Sequence, residues 1–273
     1  MPALHWNGTF QVTVEVVPPA GPDPGPLLQA LRALEGLPFA AFSVATNPLA
    51  KPRLSALALA TLIQREVSRP AILHCTTRDH NRLSLQSLLW GAKALGIGTV
   101  LVATGDFVAL GDRAHTTTVR DVDVFGLVRM AREAGLQAGV VLDPRPEADG
   151  LEQAVQRLRR KAEAGAQFAV TQPVYDRASA LVLAEATARV GLPVFLGILP
   201  LRSARHARFL DEKVAGIAVP EAVQARMARA ADPVAEGAAM AREMLALARE
   251  QFAGACVMPP FDHYEVLAQI LAP

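Results

Sequence analysis

The sequence predicts an α/β protein, a (β/α)8 barrel with extra helices before the last strand. Three observations carry this expectation. Eight short apolar runs recur along the 273 residues, and segments with apolar residues at three- and four-residue spacing separate them. Most of the runs are apolar throughout, the mark of parallel strands covered on both faces by helices. The length is close to the usual size of a closed barrel, about 250 residues. An open doubly wound sheet is the runner-up. Its first turn would be PPAGPDPGP (18–26), too proline-rich for a dinucleotide loop, and no GxGxxG occurs elsewhere.

The elements follow in order. FQVTVEVV (10–17) is a strand stopped by Pro18 and Pro19, with Glu15 between Val14 and Val16. AAFSVA (40–45) runs into Thr46-Asn47-Pro48, and SALALATLIQREV (55–67) has helical spacing. AILHC (71–75) contains His74 and leads into Thr76 and Thr77; TVLVA (99–103) leads into Thr104-Gly105-Asp106. AGVVL (138–142) ends at Asp143-Pro144, and LEQAVQRLRRKAEAGA (151–166) is a helix with a glycine stop at Gly165. FAVTQ (168–172) ends in Thr171-Gln172-Pro173, VFLGIL (194–199) in Leu199-Pro200, and ACVM (255–258) in Pro259-Pro260. The stretch 221–252 breaks strict alternation and is read as extra helices of the same domain. No linker divides residues 1–273, which are read as one barrel domain.

Composition narrows the classes of function. With 51% hydrophobic and 19% charged residues, the chain has ample material for a core. A net charge of +1 gives no basic face for nucleic acid. No run of 18 apolar residues suggests a membrane span, and MPALHWNG does not read as a signal segment. Cys75 and Cys256 lie far apart in strand-like runs, so a disulfide framework is not expected and the chain reads as cytoplasmic. The histidines and cysteines show no zinc spacing.

In a barrel, chemistry sits at the C-terminal ends of the strands. The polar residues above would converge there on one mouth. Glu15 is the most informative of them. On its own stretch, an edge strand with Glu15 facing water explains it as well as a site does. A closed barrel has no edge, which favours an inward, functional carboxylate.

Several chemistries are tested by absence. A Schiff-base aldolase needs a lysine at a strand end, but Lys51, Lys93, Lys161 and Lys213 are read in helices or loops. Paired histidines on the first strand are missing, and no glycine-rich phosphate loop follows the last strands. Carboxylates at Glu15, Asp106 and Asp143 leave a metal site open. What remains is a site of one or two acids, amides and hydroxyls in an apolar surround, suited to a flat heterocycle and proton-assisted redox chemistry.

VEVVPP, SVATNPLAKPRLSALALATLIQRE (43–66), ILHCTTRDHNRLSLQSLLWGAKALGI (72–97), VATGD (102–106), KAEAGAQFAVTQPVYD (161–176), GILPL (197–201) and VMPPFDHYE (257–265) together resemble the methylenetetrahydrofolate reductase family. The likeness is to the reductase half of bacterial proteins that also carry a homocysteine methyltransferase, and it covers roughly residues 10–271. It implies an eight-stranded barrel holding FAD at the mouth, reduced by NADH or NADPH, with folate as substrate and 5-methyltetrahydrofolate as product. By this resemblance Glu15 is the general acid that opens the imidazolidine ring, and its apolar neighbours should raise its pKa. Asp106 would hold the pterin beside the flavin, and Gln172 would contact folate. Thr46, Asn47, His74, Thr76, Thr104, Gly105 and Asp143 would line the flavin, and Lys161 would face its phosphates. His206 and Tyr264 would lie on the folate side. The chain departs from the family pattern at Thr104, Asp143 and Ala154. A flavin-free variant, or a folate-binding subunit fed by an electron-donor partner, is the alternative these changes suggest; a homo-oligomer is also open.

Overall fold

The structure is a computed structural model that describes residues 8–109, 112–143, 150–214, 216–260 and 263–272. Eight parallel strands close into a barrel in sequence order: β1 (Gln11–Val16), β2 (Ala41–Val44), β3 (Ala71–Thr76), β4 (Thr99–Ala103), β5 (Gln137–Leu142), β6 (Phe168–Pro173), β7 (Val194–Ile198) and β8 (Gly254–Val257). β8 closes on β1, with Thr13 beside Cys256 and Val14 beside Val257. The edge-strand reading of Glu15 is thereby excluded.

Helices α1 (Gly25–Arg32), α2 (Ala56–Leu62), α3 (Arg82–Ala94), α4 (Val124–Glu133), α5 (Gly150–Glu163), α6 (Arg177–Thr187) and α7 (Ala204–Lys213) follow the first seven strands. The helical stretch predicted over 55–67 ends differently from its start. It widens into a π turn over Ile63–Val67 and stops at Ser68, which adopts a left-handed φ of 55°. The predicted extra helices form as α8 (Glu221–Arg229) and α9 (Pro233–Gln251). They divide because Asp232 caps α9, accepting from the amides of Val234 and Ala235, with Pro233 starting the new helix. A last helix, α10 (Val266–Leu271), follows β8.

Strand alternation makes two cores. Val12, Val14 and Val16 of β1 point outward and pack beneath the helices with residues such as Leu59, Leu89, Leu127 and Leu245. The barrel interior holds Ala41, Ile72, Leu101, Phe168, Val170, Phe195 and Cys256. Phe168 and Phe195 meet edge to face at 5.7 Å. Their rings are admitted by Gly139 and Gly254, where a Cβ would stand 2.2 Å from Phe168 and 2.5 Å from Phe195. These rings fill the N-terminal half of the barrel and leave the polar groups to its C-terminal half. A smaller apolar cluster, including Leu201, Leu210, Val223, Met227 and Met240, joins α7, α8 and α9.

Candidate active site at the barrel mouth

Glu15 follows Thr13 on the inward-facing register of β1, beside Ser43 of β2. Burial pushes its carboxyl up to about 7, with the negative charge of Asp106 adding to the rise. The source of the burial corrects the sequence reading. Val14 and Val16 face away, into the outer core, so the flanking valines do not desolvate Glu15. The barrel interior does. There Cys256 interacts with Glu15, and burial drives its thiol up to about 12, so the sulfur stays protonated. His74 lies with Ser43 on the same wall, Ser43 Oγ and His74 Nε2 2.7 Å apart in a hydrogen bond. Burial lowers the His74 imidazole to about 4, so it is neutral at pH 7. The site therefore offers one acid that titrates near neutrality beside uncharged polar groups.

The rim over β2, β3 and β4 is a closed hydrogen-bond network. Thr46 Oγ1 donates to the His74 carbonyl at 2.5 Å. Asn47 Nδ2 donates to Asp79 Oδ2 at 3.2 Å, and Asn47 Oδ1 accepts from the Arg53 amide at 3.0 Å. Thr76 Oγ1 reaches Asp79 Oδ2 at 3.4 Å, and the Thr104 carbonyl accepts from Thr77 Oγ1. Arg78, only 4% exposed, donates to Asp79, to the Asp106 carbonyl and to the Asn47 carbonyl. Asp106 Oδ2 accepts from the Leu49 amide at 2.5 Å. Gly105, at φ 87°, passes so near Thr76 and Arg78 that a Cβ would stand 3.2 Å from each. Thr46, Asn47 and Thr76 thus spend side-chain groups on building the rim.

Next to this rim, at β5, Lys161 is not the solvated helix lysine its neighbours Arg159 and Arg160 suggest. Its ammonium donates to the Val141 carbonyl at 2.6 Å. Burial, and then Arg157, lower its pKa to about 8, with Asp143 working the other way. Asp143 lies against the backbone of Gly216, where a Cβ would fall 2.8 Å from Oδ2. Gln172 sits where β6 slips out of register with β7. Thr171 holds that irregularity, accepting from the Gly197 amide at 2.8 Å and donating to the Gln172 carbonyl at 2.7 Å.

His206 and Tyr264 are both buried. His206 lies in the first turn of α7 but is 7% exposed, its Nδ1 accepting from the Arg202 amide. Burial, then Arg202, lowers it to about 4, so it is a neutral packed imidazole and not a surface group. Tyr264 is 4% exposed and belongs to the outer core with Val266, Leu267 and Ile270. Its ring is packed among the apolar side chains of that core. Aromatic residues after the last strand satisfy helix–strand packing, and nothing local distinguishes that from a ligand contact. Nor do Glu15, Asp106 and Asp143 gather as a metal site: no group of three His, Cys, Asp or Glu side chains suited to a metal ion occurs among the described residues. The sequence reading named Thr171 only as a strand end and missed Ser43, Arg78 and Asp79. The signal for Arg78 was an Arg-Asp pair just beyond an apolar strand.

No helix is long and apolar enough to cross a membrane among the described residues. The profile of the family described as Methylenetetrahydrofolate reductase matches residues 2–257. Among solved structures, an uncharacterised protein from Clostridium thermocellum, described as binding two copies of 5-methyl-5,6,7,8-tetrahydrofolic acid, has the same fold. Its TM-score is 0.70 at 13% identity, covering 96% of this chain and 94% of that one. The fold is also shared with 2,3-dimethylmalate lyase (TM-score 0.54, 17% identity, 94% and 78% covered). The tryptophan synthase α-subunit of Pyrococcus furiosus is a further match (TM-score 0.51, 15% identity, 91% and 86% covered).

Proposed function

Because the chain belongs to the methylenetetrahydrofolate reductase family, we propose that it interconverts 5,10-methylenetetrahydrofolate and 5-methyltetrahydrofolate, with Glu15 as the proton donor. The observation that carries this reading is the Glu15 carboxyl inside the barrel, which burial and then Asp106 push up to about 7. The folate described in the Clostridium thermocellum structure is the product of this reaction, which supports the same substrate class here.

The chemistry asks for such an acid. The bridging carbon accepts hydride only after its bond to N10 breaks. Neutral Glu15 gives its proton to N10, the electron pair of the C–N10 bond goes to N10, and the carbon is left as an iminium with N5. Hydride at that carbon completes the methyl group. At pH 7 about half of a pool with pKa near 7 is protonated, against about one in three hundred at an ordinary 4.5. In this reading Asp106, on the loop after β4, hydrogen-bonds the pterin, and Gln172, at the end of β6, contacts the folate. His206, packed at the start of α7, shapes the same side.

The residues present fit a flavin in part. Lys161 donates one N–H to Val141 and keeps ammonium hydrogens for a diphosphate. The wall of Thr46, Asn47, His74, Thr76, Thr104 and Gly105 is a polar rim suited to a flat ring. When bound, FAD supplies a carrier that relays hydride from NADH or NADPH to the substrate. Asp143 favours a second reading, because a carboxylate beside Lys161 opposes a diphosphate. In that reading NAD(P)H, or a partner protein, supplies the reducing equivalents directly.

The visible spectrum of the purified protein with added FAD separates the two. A flavin band that bleaches with NADH or NADPH and returns with methylenetetrahydrofolate supports the flavin route. A colourless protein that retains no FAD yet turns over folate with NAD(P)H supports the direct one. Absence of folate turnover with NADH, NADPH or an artificial electron donor standing in for a partner, with or without FAD, would overturn the reductase reading.

A further inference from the structure

We propose that Arg78 is a positioning residue for this site: by clasping the loops after β2, β3 and β4 it fixes the Asp106 carboxylate in its place relative to Glu15. The proposal rests on the preceding reading only in taking this mouth for the active site.

The geometry is specific. Arg78 stands two residues beyond the end of β3, and its guanidinium spends donors on three chain segments. Nη1 reaches the Asp106 carbonyl at 2.9 Å and Nη2 the Asn47 carbonyl at 3.2 Å. Nε and Nη2 grip the two oxygens of Asp79 at 2.5 and 2.7 Å. Asp79 passes the restraint on, accepting from Asn47 Nδ2 and Thr76 Oγ1. The segment so held is strained. Asn47, Leu49 and Ala50 have φ of 43°, 55° and 54°, a left-handed region costly for side chains other than glycine. Such a conformation persists only when its surroundings over-determine it. Here the Asn47 carbonyl is taken by Arg78 and the Leu49 amide by Asp106 Oδ2. Arg78 therefore holds Asp106 twice, through its carbonyl and through the Leu49 turn that binds its carboxylate.

A lysine cannot copy this, because one ammonium lacks the planar fork that reaches three segments. The electrostatic surroundings make the consequence readable. Asp79, Asp106 and, through Asp79, His80 act around the clasp. Glu15 is influenced by Asp106 and interacts with Cys256, while Arg78 does not act on it directly. Losing the clasp thus reaches Glu15 through the position of Asp106.

The test is the titration of Glu15, followed by carboxyl NMR on protein with isotope-labelled glutamate and assigned with Glu15→Gln. Arg78→Lys keeps the charge and should lower the Glu15 midpoint by about half a unit, the scale of one carboxylate acting at a screened distance. Asp106→Asn should also lower it, and adding Arg78→Lys to Asp106→Asn should change nothing further. Asn47→Gly loosens the same clasp while tolerating the left-handed φ, and should move the midpoint in the same direction if Arg78→Lys does not fold. A wild-type midpoint in Arg78→Lys or Asn47→Gly, or effects of Arg78→Lys and Asp106→Asn that add, would overturn the proposal. The readout is a proton on Glu15 and not turnover, so its failure leaves the folate reading standing.

Discussion

Glu15→Gln should make the protein more stable at alkaline pH while abolishing folate reduction. The carboxyl moves from 4.5 to about 7 on folding, because burial and then Asp106 disfavour the anion. At about 1.4 kcal/mol per pKa unit, the ionised side chain costs the fold about 3 kcal/mol. The sign follows from proton binding. Between pH 4.5 and 7 the folded state holds a proton that the unfolded state has released, so stability falls as pH rises through that window. Below pH 4.5 both states are protonated and the cost is absent; above pH 7 it is present in full. Glutamine keeps the shape and never ionises. For a chain of 273 residues, about 3 kcal/mol corresponds to a rise in Tm of roughly 5–10 °C. Thermal melts of both proteins at pH 4.5, 6 and 8 should show no difference, a partial gain and the full gain. A gain independent of pH, or no gain at pH 8, would refute the assignment of a buried titrating carboxyl. Turnover by Glu15→Gln at the wild-type rate would refute its role as the acid.

Other perturbations probe separate parts of the mouth. Gln172→Ala should weaken folate binding about 5- to 50-fold by removing hydrogen bonds, with flavin content unchanged in an equilibrium binding assay. Lys161→Met should reduce retention of FAD on gel filtration and cost about 1–3 kcal/mol, since the Val141 carbonyl loses its donor. In the parent, Lys161 should make stability rise between pH 8 and 10.5, where only the unfolded state still binds the proton, and the variant should lose that slope. Gly197→Ala would place a Cβ 2.4 Å from the Thr171 carbonyl, so a loss above about 2 kcal/mol in chemical denaturation is expected.

The barrel was legible because its signals are local. Eight apolar runs and the spacing between them follow from strand and helix periods, which each short segment expresses alone. Glu15 stood out for the same reason, as one carboxylate in an apolar run. What makes it an acid was not local. The adjacent valines point the other way, and the desolvation comes from the closed barrel interior, with Cys256 brought beside it by the β1–β8 closure. The inward packing of His206 was not legible, because one histidine in an arginine-rich helix gives no sign of which face turns inward. Tyr264 read as a ligand contact because an aromatic after a strand end serves packing and binding equally well.

The sequence by itself determined the order of strands and helices, the strand ends at which polar groups collect, and the carboxylate placed among them. Tertiary structure decided which of those groups face a ligand and which face one another. Arg78 meets Asn47 across 31 residues and Asp106 across 28, partners that no period links to it. Only the pairing of β2 with β3 and β3 with β4 puts the three strand ends side by side, because hydrogen-bonding parallel strands lie about 5 Å apart, and only then can one guanidinium reach all three loops.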